Sequence, residues 1–225
     1  MRKIFLTLTL ILFMVSQVHA FDPLLIFSGM PAAGGAPTYL IQEEAEGAST
    51  PSGWSDTGTV TWNYATDPAP LAGSKSVIVS GAGNYYTTTA TFAVQSEYWA
   101  RFIVHHSATP SSDLSFFTGG LELIMRSSSA DIRIRHGSEY SISYDATAGT
   151  VYYIWVHCKT TDSGGGVDGE VWISLNGTKP ATPTLSISNG GWSGTITTVL
   201  LRARYSCNSI FDSLTISDSD NLGDF

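Results

Sequence analysis

The sequence predicts an all-β protein, a two-sheet antiparallel β-sandwich of the jelly-roll kind, on three observations. Apolar and polar residues alternate with a period of two through most of the chain, as in "EYWARFIVHH" and "DIRIR". Clusters of Gly, Asn, Ser and Pro punctuate these runs at short intervals. Beyond residue 20, no stretch carries an apolar stripe at helical spacing. Many short strands in one domain require two sheets face to face, because each sheet has an apolar face to bury.

At the N-terminus, Arg2 and Lys3 precede the apolar run "IFLTLTLILFMV", which is short for a membrane span, and "VHA" offers small residues where a signal peptidase reads. Residues 1–20 are therefore read as a secretory signal. The protein is expected to be secreted, extracellular or periplasmic, with no membrane insertion after signal cleavage. Cleavage removes two of the 11 basic residues and none of the 19 acidic ones, leaving 9 − 19 = −10. That charge argues against nucleic acid and against anionic membrane surfaces as partners. Residues 21–38 read as a leader or linker, followed by one domain over residues 39–225. Within the leader, "PLLIF" is suited to adding a strand to another protein's sheet edge, so residues 21–37 are a candidate assembly segment.

The first strand is expected at "TYLIQEE". In "EYWARFIVHH", Tyr98, Ala100, Phe102 and Val104 share one face, and Trp99, Arg101, Ile103 and His105 the other. "DIRIRH" turns Ile132 and Ile134 inward and Arg133 and Arg135 outward, and "YSISY" follows as a further strand. In "VYYIWVHCKT", Tyr152, Ile154, Val156 and Cys158 are assigned to the core, which leaves Tyr153, Trp155 and His157 outside. "GEVWISL" sends Val171, Ile173 and Leu175 inward and Trp172 outward. Asn176-Gly177 after it is a hairpin signal of the type I′ kind and also forms a glycosylation sequon with Thr178. "TLSIS", "TITTVLLRARY" and "FDSLTIS" complete the strands, and the acidic "SDSDNLGDF" reads as a solvated end.

Two cysteines, Cys158 and Cys207, are too few for a disulfide framework. In an oxidising compartment they are candidates for one bridge, and neither has the spacing of a zinc ligand.

The segments "EGASTPSGW", "GTVTWNYATDPAPLAGSKSVIVSG", "YWARF", "YYIWVHCK", "EVWISLNGT" and "SIFDSLTISD" together resemble the concanavalin A-like lectin/glucanase superfamily, in its laminin-G-like jelly-roll branch, from about residue 39 onward. The resemblance implies two antiparallel sheets, one concave, with a glycan held in or beside the concave sheet. It also implies a structural calcium where the first and last strands meet, with Glu46 and Asp212 in the matching places. The usual second Asp is here Ser213.

The outward face of the strands collects Trp99, Arg101, His105, Tyr153, Trp155, His157 and Trp172. Such a set suits an oligosaccharide or polysaccharide. The CH face of a pyranose packs on an aromatic ring, and Arg, His, Tyr and Trp edges bond its hydroxyls. One such ring contact contributes roughly 1–3 kcal/mol. The competing reading, that these rings are simply core, applies to each Trp alone better than to a set alternating with Arg and His.

Catalysis is the weaker expectation. The glucanases of the superfamily carry paired carboxylates in an ExDxxE-like strand, whereas Glu97, Glu122, Glu139 and Glu170 stand without strand-spaced partners. A polysaccharide lyase could use Arg101, His157 and Tyr153, but the motifs RxELR, QIH and KAGxYxQ are absent. The sequence therefore favours a carbohydrate-binding domain that does no chemistry. A surface assembly or adhesive subunit, and a lyase, are the alternatives.

Overall fold

A computed structural model describes residues 38–47, 49–65, 70–81, 85–136, 139–140, 144–160, 167–187 and 195–225. The signal, nearly all of the leader, the middle of "YSISY" and the loop "DSGGG" lie outside the described residues. The described chain is all strand and loop. In order the strands are Tyr39–Glu43 (β1), Trp54–Thr57 (β2), Val60–Tyr64 (β3), Ser76–Ser80 (β4), Tyr86–Gln95 (β5), Glu97–His106 (β6), Leu114–Thr118 (β7) and Glu122–Met125 (β8). They continue as Asp131–His136 (β9), Glu139–Tyr140 (β10), Tyr144–Asp145 (β11), Val151–Thr160 (β12), Val167–Ser174 (β13), Leu185–Ile187 (β14), Ile196–Ala203 (β15) and Asn208–Ser217 (β16).

These strands form two antiparallel sheets. The first runs β14-β13-β12-β6-β16-β4-β3, with β1 also on β16; the second runs β10-β9-β8-β7-β15-β5-β2, with β11 also on β9. Their apolar faces meet in one core. Tyr98, Ala100, Phe102, Val104, Ile154 and Val156 are buried there from the first sheet, and Leu123, Ile132, Ile134, Val199 and Leu201 oppose them from the second. Phe102 stacks on Phe117 across the interior with centroids 4.8 Å apart. The two-sheet sandwich expected from the alternation is thus the architecture observed.

At the β16 bulge, Asp212 and Ser213 sit where the partner strand on one edge changes from β4 to β1. Ser213 has positive φ there, at 50°. Asp212 is buried and accepts from Ala72 N at 2.9 Å, Ser76 Oγ at 2.7 Å and Ser213 N at 2.8 Å. Burial raises its carboxyl to about 6.

Three expectations are corrected. Cys158 and Cys207 are both free and buried. Cys158 lies opposite Tyr98 near the start of β6, whereas Asn208, next to Cys207, bonds Ser107 just past its end. Nine strand positions separate these points, roughly 30 Å at the usual rise, far beyond the reach of a disulfide. Burial also pushes the Cys158 thiol up to about 12. Leu175 is 60% exposed rather than inward, because β13 ends at Ser174 and the chain leaves the ladder. Asn176-Gly177 does not close a two-residue hairpin, since the β13–β14 pair nearest to it is Val171↔Leu185, which leaves a much longer connection. Only Gly177 of the pair has positive φ, at 82°, and Asn176 Oδ1 accepts from Thr178 N and Ser174 Oγ.

Candidate functional site

The register of β6, β12 and β13 places the predicted residues in rows across the outer face of the first sheet. One row is Trp99–His157–Glu170, the next is Arg101–Trp155–Trp172, and the next is Ile103–Tyr153–Ser174. His105 lies one row further, opposite Val151. All seven predicted residues therefore share one face. Only some of them face an open space.

Residues 223–225 cover the middle rows at Trp155, while Arg101, Ile103 and Tyr153 line a cleft of about 360 Å³ beside Phe225. Trp155 is 1% exposed, its Nε1 donates to Gly223 O at 3.1 Å, and the Phe225 ring meets it edge-on at 5.0 Å. Phe225 also packs on Tyr153 at 5.2 Å and lies under the Arg101 guanidinium at 5.1 Å. Arg101 Nη1 donates to Asp224 O at 2.6 Å, and Phe225 N donates to Gly177 O at 3.1 Å. Asp224 Oδ1 in turn accepts from Lys179 N at 2.7 Å, while Lys179 Nζ sits 4.4 Å over the Trp172 ring. The acidic end expected to be solvated is thus a docked segment, and the loop carrying Asn176-Gly177 is its clamp. His105 is buried, about 20 Å along the strand from the first row, too far to share a single sugar ring with His157.

The first row is open. His157 Nε2 lies 2.9 Å from Glu97 Oε1 and its Nδ1 lies 3.0 Å from Glu170 Oε2. A carboxylate only accepts, so both bonds form when both ring nitrogens carry protons. Trp99 stacks on the imidazole at 4.6 Å with planes 9° apart. Beside this clamp is a cleft of about 420 Å³ lined by Glu97, His157, Lys159, Glu170, Ser186 and Ile187. Acceptors, an ammonium and a hydroxyl converge there on one held ring.

The lyase arrangement does not assemble from its candidates. Tyr153 and His157 are four positions apart on one strand, roughly 13 Å, with Trp155 and the docked tail between them. Arg101 is engaged by Gly223 and Asp224.

Glu46 and Asp212 both serve the loop that leads into β4. Glu46 accepts from Ser74 N at 2.7 Å and Lys75 N at 3.2 Å, which holds its carboxyl below the usual range through the bonds from Ser74. Both acids thus face N–H and O–H donors, and among the described residues no three His, Cys, Asp or Glu gather as metal ligands. This donor set does not fit a calcium cage, which needs several converging oxygens.

Sequence reasoning passed over the outer face of the second sheet. Arg133 and Arg135 point outward as expected, paired with Asp131 at 3.1 Å and Glu122 at 2.5 Å. Arg202 of β15 and Arg204 just beyond it lie 4.7 Å and 3.9 Å from the Tyr85 ring. A cleft of about 260 Å³ opens between Tyr85, Asp113, Ser115, Glu122, Arg135 and Arg202. The alternation in "LLRAR" was the available signal; the partner Tyr85 comes from a distant segment.

No protein-family model matches the chain and no curated protein matches its sequence. Solved structures similar to it include an alginate lyase from Aplysia kurodai, with TM-score 0.57 and 10% identity over 80% of this chain and 98% of that one. The binding domain of botulinum neurotoxin serotype D is similar with TM-score 0.54 and 10% identity, over 80% of this chain and 48% of that one. A sialidase aligns with TM-score 0.52 and 13% identity over 75% of this chain. The chain spans only 17% of the sialidase's length. At these identities the likeness concerns the fold, a jelly-roll sandwich.

Proposed function

We propose that this chain is a secreted carbohydrate-binding domain that does no chemistry and takes a sugar at the open end of the first sheet. The observation that carries the reading is His157, held between Glu97 and Glu170 and stacked on Trp99 beside a polar cleft of about 420 Å³. Groups fixed in this way meet a ligand without losing further side-chain freedom on binding. Sugar hydroxyls donate to the remaining lone pairs of Glu97 and Glu170 and accept from Lys159 and Ser186, while a ring face packs against the exposed part of Trp99. Hydrolysis would need one carboxyl donating to the leaving oxygen and a second acting on the opposite face of the sugar. Glu97 and Glu170 each commit an oxygen to the same imidazole.

Two or three such contacts give an affinity in the micromolar to millimolar range, at roughly 4–8 kcal/mol. The experiment is a glycan-array screen of the chain lacking residues 1–20, repeated with Trp99→Ala. Hits that vanish in the variant support the reading. A blank array overturns it and favours assembly through residues 21–37.

A further inference from the structure

We propose that the outer face of the second sheet is a separate site for the acidic groups, carboxylate or sulfate, of an anionic saccharide, with Arg202 and Arg204 as its cations. The saccharide part of this inference rests on the function proposed above; the anion part rests on the side chains of this face.

Five arginines gather here in a chain whose formal charge is −8. Three are neutralised: Arg126 by Asp113 at 3.7 Å, Arg133 by Asp131, and Arg135 by Glu122. Arg202 and Arg204 have no carboxylate partner among the described residues. The Nε of each is buried and has no hydrogen-bond acceptor, which is unusual for a guanidinium donor.

Both arginines are also ordered in advance. Tyr85 is 41% exposed and lies against both guanidinium groups, and its hydroxyl accepts from Arg204 Nη1. Tyr205 also packs against Arg204, with its ring centroid 3.7 Å from the guanidinium carbon. That position depends on a tight turn closed by Cys207 N donating to Arg204 O at 3.2 Å, in which Tyr205 and Ser206 have φ of 55° and 60°. Two consecutive residues other than glycine in the left-handed region are strained, and such strain collects at functional positions. The adjoining cleft of about 260 Å³ brings Arg135 and Ser115 to the same opening. Planar forks of this kind suit carboxylate and sulfate oxygens, and the exposed Tyr85 offers a surface for the sugar ring.

The test is calorimetric titration of the chain lacking residues 1–20 with three probes: a galacturonate hexamer, its carboxyl-reduced counterpart, and a sulfated neutral hexasaccharide. The expected result is binding of at least one charged probe at least tenfold tighter than the reduced one, weakening as salt rises. Which charged probe binds identifies the acidic group. The double variant Arg202→Gln/Arg204→Gln should lose at least tenfold in affinity, whereas Leu175→Ala, at an exposed position outside both clefts, should retain it. If the double variant fails to fold, Tyr85→Ala at its exposed position replaces it with the same expectation. Equal affinity for the reduced probe, no binding of either charged probe, or unchanged affinity in the variant that folds overturns the proposal. Neutral array hits lost with His157→Ala, together with no binding of either charged probe, would leave the first site standing while this one falls.

Discussion

Removing the Phe225 ring should open the middle of the first sheet's outer face. Phe225 is 36% exposed, so about 64% of it is covered, mainly by Trp155, Tyr153 and Arg101. Full burial of a Phe side chain contributes roughly 1.5–3 kcal/mol, which scales here to about 1–2 kcal/mol. The edge-on contact with Trp155 adds about 0.5–1 kcal/mol, so Phe225→Ala should lower stability by about 2 kcal/mol. Deleting residues 219–225 should remove more, because the bonds from Arg101, Trp155 and Lys179 to Gly223 and Asp224 go too. The assay is acrylamide quenching of tryptophan fluorescence, together with denaturant unfolding. Because the chain has six tryptophans, the change is read as a difference between the truncated chain with and without Trp155→Phe. Trp155 should pass from protected to quenchable with a red-shifted emission. Identical quenching in the full and truncated chains would refute the docked tail.

The titration of buried groups gives a second prediction. Burial holds His106 down to about 3, so acidification from about pH 6.5 costs stability as the unfolded chain takes a proton that the native one refuses. Asp212, raised to about 6, acts in the opposite sense between about pH 6 and 3.8, where the native state takes its proton first. The two offset in the wild type. Asp212→Asn should therefore lose about 2 kcal/mol more than wild type between pH 6 and 4.5 in denaturant unfolding, and an unchanged difference would contradict the assignment. A third prediction concerns the thiols: both should resist Ellman's reagent in the native protein and react once it is unfolded, and loss of both thiols from the monomeric chain on oxidation would contradict the separation of Cys158 and Cys207. A fourth concerns Gly58, whose φ is 84° and whose added Cβ would fall 2.0 Å from the Tyr86 ring. Gly58→Ala should lower the melting temperature by several degrees, about 1–2 kcal/mol.

Much of the fold could be read from local pattern, and the reason is physical. Period-two alternation dictates which side chains can enter the core, so Tyr98, Ala100, Phe102 and Val104 were placed inward and are buried. The same rule put Trp99, Arg101, Tyr153, Trp155, His157 and Trp172 on one face, where the register indeed aligns them. Alternation cannot tell what lies above that face. "NLGDF" is short and polar apart from Leu222 and Phe225, and nothing local marks it as the cover of Trp155. Leu175 failed for a related reason, because the pattern continues one residue past the point where pairing stops. Arg202 and Arg204 alternate visibly, yet their grouping with Tyr85 joins residues more than a hundred positions apart.

The most direct test of the central claim is calorimetry of the tightest neutral array sugar against wild type, His157→Ala and Trp99→Ala. Both substitutions should weaken binding at least tenfold, while Phe225→Ala, which acts on the covered rows, leaves it within about twofold. Full affinity in both the His157 and Trp99 variants would contradict a sugar site at the open row.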